Sequence, residues 1–130
     1  MEAGRTALII EDECTVVYLL KEVLKNKGID AVQANCIKDA HLLMLNIHPD
    51  FIFVDNELPD GLGFDTICTM HLNNPEARII AMSAQASFRG KENAFNVGAN
   101  YFLEKPFTLE QVYNSLKKES KEVLIMQTEF

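Results

Sequence analysis

Phe51-Ile52-Phe53-Val54-Asp55 runs four aromatic and β-branched residues straight into an acid, and Asn56-Glu57-Leu58-Pro59-Asp60-Gly61-Leu62-Gly63 follows. An unbroken apolar run of this length reads as a strand buried on both faces, as strands of parallel sheets are. Pro59, Asp60, Gly61 and Gly63 make the next segment a loop, since Pro cannot donate to a ladder and Gly tolerates positive φ. An acid at the carboxyl end of a buried strand lies where open α/β sheets bind their ligands. Asp55 is therefore the first candidate for chemistry. Taken alone, an Asp in that place is more often a turn starter or a helix cap, so the rest of the chain has to decide.

Working outward, Ala7-Leu8-Ile9-Ile10 is a second apolar run, cut off by Glu11-Asp12-Glu13. From Cys14 to Lys27 the residues Val16, Leu19, Leu20, Val23 and Leu24 fall on one helical stripe, with Gly28 as the stop. Ile29 to Ala34 predicts a weaker strand. Asp39 to Ile47 predicts a helix with Ala40, Leu43, Met44 and Ile47 inward, ended by Pro49. On the far side of the opening stretch, Gly63 to Asn73 predicts a helix that buries Phe64, Ile67 and Cys68. Arg78 to Met82 is a fourth strand ending at Ser83, and Ser87 to Val97 a helix closed by Gly98. Asn100 to Leu103 is a fifth strand, ending in Glu104-Lys105-Pro106. A last helix is expected from Phe107 to about Leu124, capped near Thr108, with Leu109, Val112, Tyr113 and Leu116 inward. One domain over residues 1–124 and a tail over 125–130 result. Strands alternating with helices imply a single parallel sheet covered on both faces through right-handed crossovers. Periodicity does not give the strand order.

Composition narrows the classes. The 130 residues are 48% apolar, which excludes a disordered chain, and no apolar run reaches the ~20 residues of a membrane span. The formal net charge of −7 argues against a nucleic-acid surface. The one basic cluster, Lys117, Lys118 and Lys121, is interleaved with Glu119 and Glu122 and reads as a solvated helix face. Cys14, Cys36 and Cys68 have no metal-like spacing and read as buried small hydrophobes. With no secretory signal at the start, a cytoplasmic location is the expectation.

In a parallel sheet the carboxyl ends of the strands meet along one edge. Glu11 and Asp12, Asp55, Ser83 and Lys105 all fall there, so acids, a hydroxyl and an ammonium converge from separate segments. Crowded carboxylates repel, and a hard divalent cation with oxygen ligands resolves the repulsion; Mg²⁺ suits two or three acids with retained waters. Beside such a cation Asp55 would serve as nucleophile toward a phosphoryl group, with Lys105 and Ser83 holding its other oxygens.

At this point the motifs Ile9-Ile10-Glu11-Asp12-Glu13, Val54-Asp55 through Gly63, Met82-Ser83-Ala84 and Leu103-Glu104-Lys105-Pro106-Phe107 are together. From about Thr6 to Leu124 the chain resembles the receiver domain of two-component response regulators. The resemblance implies a flavodoxin-like (βα)5 doubly wound sandwich with strand order 2-1-3-4-5. It implies that Asp55 accepts a phosphoryl group from the phosphohistidine of a histidine kinase or phosphotransfer protein. It implies Mg²⁺ held by Asp12, Asp55 and the backbone carbonyl of Glu57, with Glu11 acting through water. Lys105 would contact the phosphoryl group, and a cis peptide would join it to Pro106. Ser83 and Phe102 would be the switch pair, altering the surface of the fourth helix, fifth strand and fifth helix. That surface includes Phe88, Phe95, Tyr101 and Tyr113; core packing is the competing explanation for each, and any left exposed would suit an effector protein or a homodimer. Glu11 stands where Asp is usual, Ser83 where Thr is more frequent, and Phe102 lacks a Tyr hydroxyl. Glu57, beside the acceptor, is placed to slow or redirect water attack on an acyl phosphate.

The expected role is a phosphoacceptor signalling module that catalyses only its own phosphorylation and dephosphorylation, not a turnover enzyme. No output domain is expected after residue 124, and so no DNA binding. A pseudo-receiver, a binding module working without phosphorylation, is the rival; Asp12, Asp55 and Lys105 all being present argues against it. A flavin or nucleotide binder lacks its Gly-rich phosphate loop after the first strand. A phosphohydrolase lacks the second acid of an Asp-x-Asp pair and any cap segment.

Overall fold

The computed structural model describes residues 4–117. Five strands form one parallel sheet: β1 (Thr6–Ile10), β2 (Asp30–Ala34), β3 (Phe51–Asp55), β6 (Arg78–Ser83) and β7 (Tyr101–Glu104). Their order is β2-β1-β3-β6-β7. Two short strands, β4 (Glu57–Leu58) and β5 (Gly61–Leu62), pair as a hairpin just past β3. Leaving that hairpin aside, the order is the expected 2-1-3-4-5, with β7 as the fifth sheet strand. The fold is a flavodoxin-like doubly wound sandwich.

Each strand's alternation feeds two cores. Leu8, Ile10, Ile52, Val54, Ile79 and Ala81 face α2 (Ile37–Leu43), α3 (Ile67–Asn73) and α4 (Phe88–Asn96). Ala7, Ile9, Phe51, Phe53, Ile80 and Met82 face α1 (Cys14–Asn26) and α5 (Leu109–Ser115). β3 is buried along its whole length, as its unbroken apolar run requires. α1 buries Val17, Leu20, Val23 and Leu24, while Val16 and Leu19 are half-buried. It stops where Gly28 turns at φ 70° and Ile29 N–H reaches back to Leu24 O at 2.9 Å.

Several expectations need correction. α2 begins at Ile37, ahead of Asp39, because the Asp60 carboxylate accepts the Ile37 and Lys38 N–H groups at 2.9 and 3.0 Å. It gives way to a turn after Leu43, so Ile47 lies beyond it and Pro49 does not end it. The segment expected as one helix from Gly63 starts as a 3₁₀ turn, Gly63–Thr66, before α3. Met70, not Cys68, takes the buried place on α3. Cys14 and Cys68 are exposed and Cys36 half-buried, so the cysteines are not core residues. Leu109 is 51% exposed in the first turn of α5, and Val112 carries the packing. Thr108 does cap α5, in a reciprocal arrangement with Gln111. The expected extension of this helix to Leu124, the 125–130 tail, and Lys118 and Lys121 of the basic cluster lie outside the described residues. Among the described residues no helix is long and apolar enough to cross a membrane.

Candidate functional site

The parallel register carries the chemistry to one edge. Glu11 and Asp12 follow β1, Asp55 ends β3, Ser83 ends β6, and Lys105 follows β7. Glu11, Asp55 and Ser83 are 0%, 2% and 1% exposed, whereas Asp12 stands on the rim. Carboxylate oxygens of Glu11, Asp12 and Asp55 lie within 4.8 Å of one another. The Lys105 ammonium sits between the two buried acids, 2.5 Å from Glu11 Oε1 and 3.2 Å from Asp55 Oδ1. A cis peptide joins Lys105 to Pro106.

Electrostatics in this pocket are strained. Burial, then hydrogen bonding and repulsion from Glu11, push the Asp55 carboxyl from its ordinary 3.8 to about 7, although Lys105 pulls it down. Burial alone would lower the Lys105 pKa; contact with Glu11 and the charge of Asp55 outweigh it and raise it. Among the described residues, the buried Glu11 Oε1 and Asp55 Oδ1 meet no hydrogen-bond donor in good geometry, and Lys105 is their ionic partner. Under-satisfied hard oxygens on converging carboxylates fit a divalent cation, and an oxygen donor set selects one of the Mg²⁺ or Ca²⁺ class.

A pH dependence results. Unfolded Asp55 loses its proton near 3.8 and folded Asp55 near 7, so the folded chain binds more protons in between. Stability of the chelator-treated protein is expected to fall as pH rises through that window. Asp55→Asn is expected to flatten the fall and to melt higher than the native chain at neutral pH. Thermal melts across the window check this, and parallel curves for the two chains would refute the repulsion.

Beyond the acids, the loop after β3 is held by Asn56. Its N–H donates to Met82 O at 3.0 Å, its backbone oxygen accepts Gly63 N–H at 2.9 Å, and its Oδ1 accepts Phe64 N–H at 3.1 Å. Ser83 Oγ donates to the Glu57 carboxylate, 3.0 and 3.1 Å from its two oxygens, and Ala84 N–H donates to Glu57 Oε1 at 3.3 Å. Sequence reading placed the Glu57 backbone at the metal and its side chain beside the acceptor, but missed the contact with Ser83 and Ala84, which spacing does not encode. Phe102 is half-buried, edge-on to the Phe64 ring at 5.8 Å, with the Lys91 ammonium 5.8 Å above it. Of the aromatics expected on the α4–β7–α5 surface, Phe88 and Phe95 are exposed at 83% and 47%. Tyr101 and Tyr113 instead pack on the α1/α5 core, each beneath a cation.

The response regulator receiver domain family model matches residues 7–117. The chain is 30% identical to the transcriptional regulatory protein PhoP of Escherichia coli O157:H7, over 81% of this chain and 47% of PhoP. It is 29% identical to the chemotaxis protein CheY of Thermotoga maritima, over 91% of this chain and 99% of CheY. It thus spans about half of the one relative and nearly all of the other. Among solved structures, a Burkholderia pseudomallei response regulator superposes with a TM-score of 0.83 at 27% identity, covering 95% of this chain and 72% of that one. That crystal structure contains a phosphorylated aspartic acid, a calcium ion and citrate.

Proposed function

Because the chain belongs to the response regulator receiver domain family, we propose that Asp55 accepts a phosphoryl group from the phosphohistidine of a histidine kinase or phosphotransfer protein. In that step an Asp55 carboxylate oxygen attacks phosphorus, the phosphorus–nitrogen bond breaks, and the imidazole leaves with the electron pair and takes up a proton. The observation that carries the reading is the Lys105 ammonium bridging the buried carboxylates of Glu11 and Asp55 at the sheet edge. Such a cation can leave Asp55 for the arriving phosphoryl oxygens without leaving the site. Asp12, Asp55 and the Glu57 backbone carbonyl would hold Mg²⁺, with Glu11 contributing through water. When bound, the ion supplies charge neutralisation for the acid cluster and the incoming phosphate.

Phosphorylation replaces the single carboxylate charge of Asp55 with a phosphoryl group carrying roughly two negative charges. Ser83 and Lys105 draw toward them, and Phe102, already against Phe64, follows into the space beside Ser83. The altered surface is α4, β7 and α5, where exposed Phe88 and Phe95 offer apolar area to an effector protein or a second copy. A groove of about 340 Å³ on this chain beside Lys105, between Val16 and Leu19 of α1 and Phe107, would receive the donor protein. The chain acts as a signalling module, not a turnover enzyme.

The test is phosphoramidate or acetyl phosphate with Mg²⁺, read by intact mass. The native chain is expected to gain one phosphoryl group and Asp55→Asn none. Equal labelling of both would move the acceptor elsewhere, and no labelling of the native chain would favour the pseudo-receiver.

A further inference from the structure

Two donors end β6, the Ser83 hydroxyl and the Ala84 N–H, and both are spent on one side chain. The single Ser83 hydroxyl proton is shared between the two Glu57 oxygens at 3.0 and 3.1 Å, and Ala84 N–H adds a bond at 3.3 Å. Ser83 Oγ is also occupied as an acceptor, taking Gln85 N–H at 3.0 Å. The hydroxyl is buried, while Glu57 is exposed and free to turn into solvent. A carboxylate clasping a hydroxyl and a backbone N–H is the same kind of partner that a phosphoryl oxygen would be.

We propose that the Glu57 carboxylate is a built-in anion that occupies the Ser83 hydroxyl and Ala84 N–H in the resting chain and must be expelled before a phosphoryl group on Asp55 can use them. The proposal rests on the phosphoacceptor reading above. Expulsion has two physical sources. The donors can serve only one anion at a time, and a phosphoryl group at Asp55 repels a carboxylate held beside it. Glu57 is therefore a positioning residue that holds Ser83 in its resting place and sets a threshold for the switch. The side chain acts here independently of its backbone carbonyl, which any substitution retains.

Removing the carboxylate abolishes a charge-assisted contact, so the threshold should drop by a factor of about ten. The experiment uses the full chain as native, Glu57→Ala and Glu57→Gln, each treated with phosphoramidate and Mg²⁺ and followed by intact mass. Labelling on Asp55 is expected to be about tenfold faster in Glu57→Ala. Glu57→Gln, which keeps the reach but loses the charge, should also be faster than native. Amide hydrogen exchange at Ala84, measured without a phosphodonor, supplies a readout that a general loss of stability would not single out. It should accelerate in Glu57→Ala while neighbouring strand amides stay protected. Native-like or slower labelling in both variants, with the native chain labelled, overturns the proposal and leaves the phosphoacceptor reading standing; so does unchanged Ala84 exchange. No labelling in any of the three chains overturns both.

Discussion

Gly63→Ala is expected to cost roughly 3 kcal/mol or more, the largest stability loss of the six glycine-to-alanine changes. A β-carbon at position 63 would fall well inside contact distance of the Asp55 carbonyl oxygen and within 2.8 Å of Val54 Cγ2. Neither obstacle can step aside. The carbonyl belongs to the buried end of β3, and Val54 is fully enclosed in the core. The loop is also pinned on both sides, by Gly63 N–H on Asn56 O and by Thr66 Oγ1 on Gly63 O at 2.6 Å. The clash must therefore displace the strand end that carries Asp55 or break the loop away from it. A urea midpoint measures the cost, and phosphoramidate labelling measures the displaced acceptor. A midpoint within error of the native chain would show that the loop yields more readily than its hydrogen bonds imply.

Lys105→Met is expected to be nearly as damaging, for an electrostatic reason. In the native chain one ammonium serves two buried carboxylates. Methionine keeps the length and the packing but leaves Glu11 and Asp55 facing each other unshielded. Stranding a buried charge typically costs about 3–5 kcal/mol. The loss should be greatest in chelator near neutral pH and shrink on acidification, because the folded Asp55 takes up its proton more readily than the unfolded chain does. Millimolar Mg²⁺ should restore much of the stability by substituting for the missing cation. The double variant Lys105→Met with Asp55→Asn should recover without any metal. Denaturation curves with chelator and with Mg²⁺ separate these arms. Equal stability of Lys105→Met and native chain in chelator would mean that the acids are better hydrated than their burial indicates.

The parts of the molecule legible in the sequence are those where one residue type has one physical solution. Phe51 to Val54 and Ile79 to Met82 had to be doubly buried strands, and acids following such runs had to gather at one edge. A cap at or beside Thr108 was readable from a capping residue standing before a helical pattern. Strand order was not readable from periodicity and came from the motif resemblance. The rest was hidden because the deciding partner is remote. The start of α2 depends on Asp60, and the choice between Cys68 and Met70 depends on which side of α3 meets Val54 and Ile79. The Glu57 side chain, solvated by every local rule, is drawn to Ser83, 26 positions away.

Asp60 ties together parts of the chain that local reading keeps apart. One exposed carboxylate closes the open end of a helix that precedes it by more than twenty positions, from a hairpin hung directly on the acceptor strand. Its pKa is held below the ordinary carboxylate value by the Ile37 and Lys38 amides, so the tie persists into mild acid. Any tug on the hairpin is thereby felt at the head of α2, and drift at position 60 cannot be neutral for the residues at 37 and 38. The sheet edge that does the chemistry and the helix beside it are, in effect, buttoned together at one point.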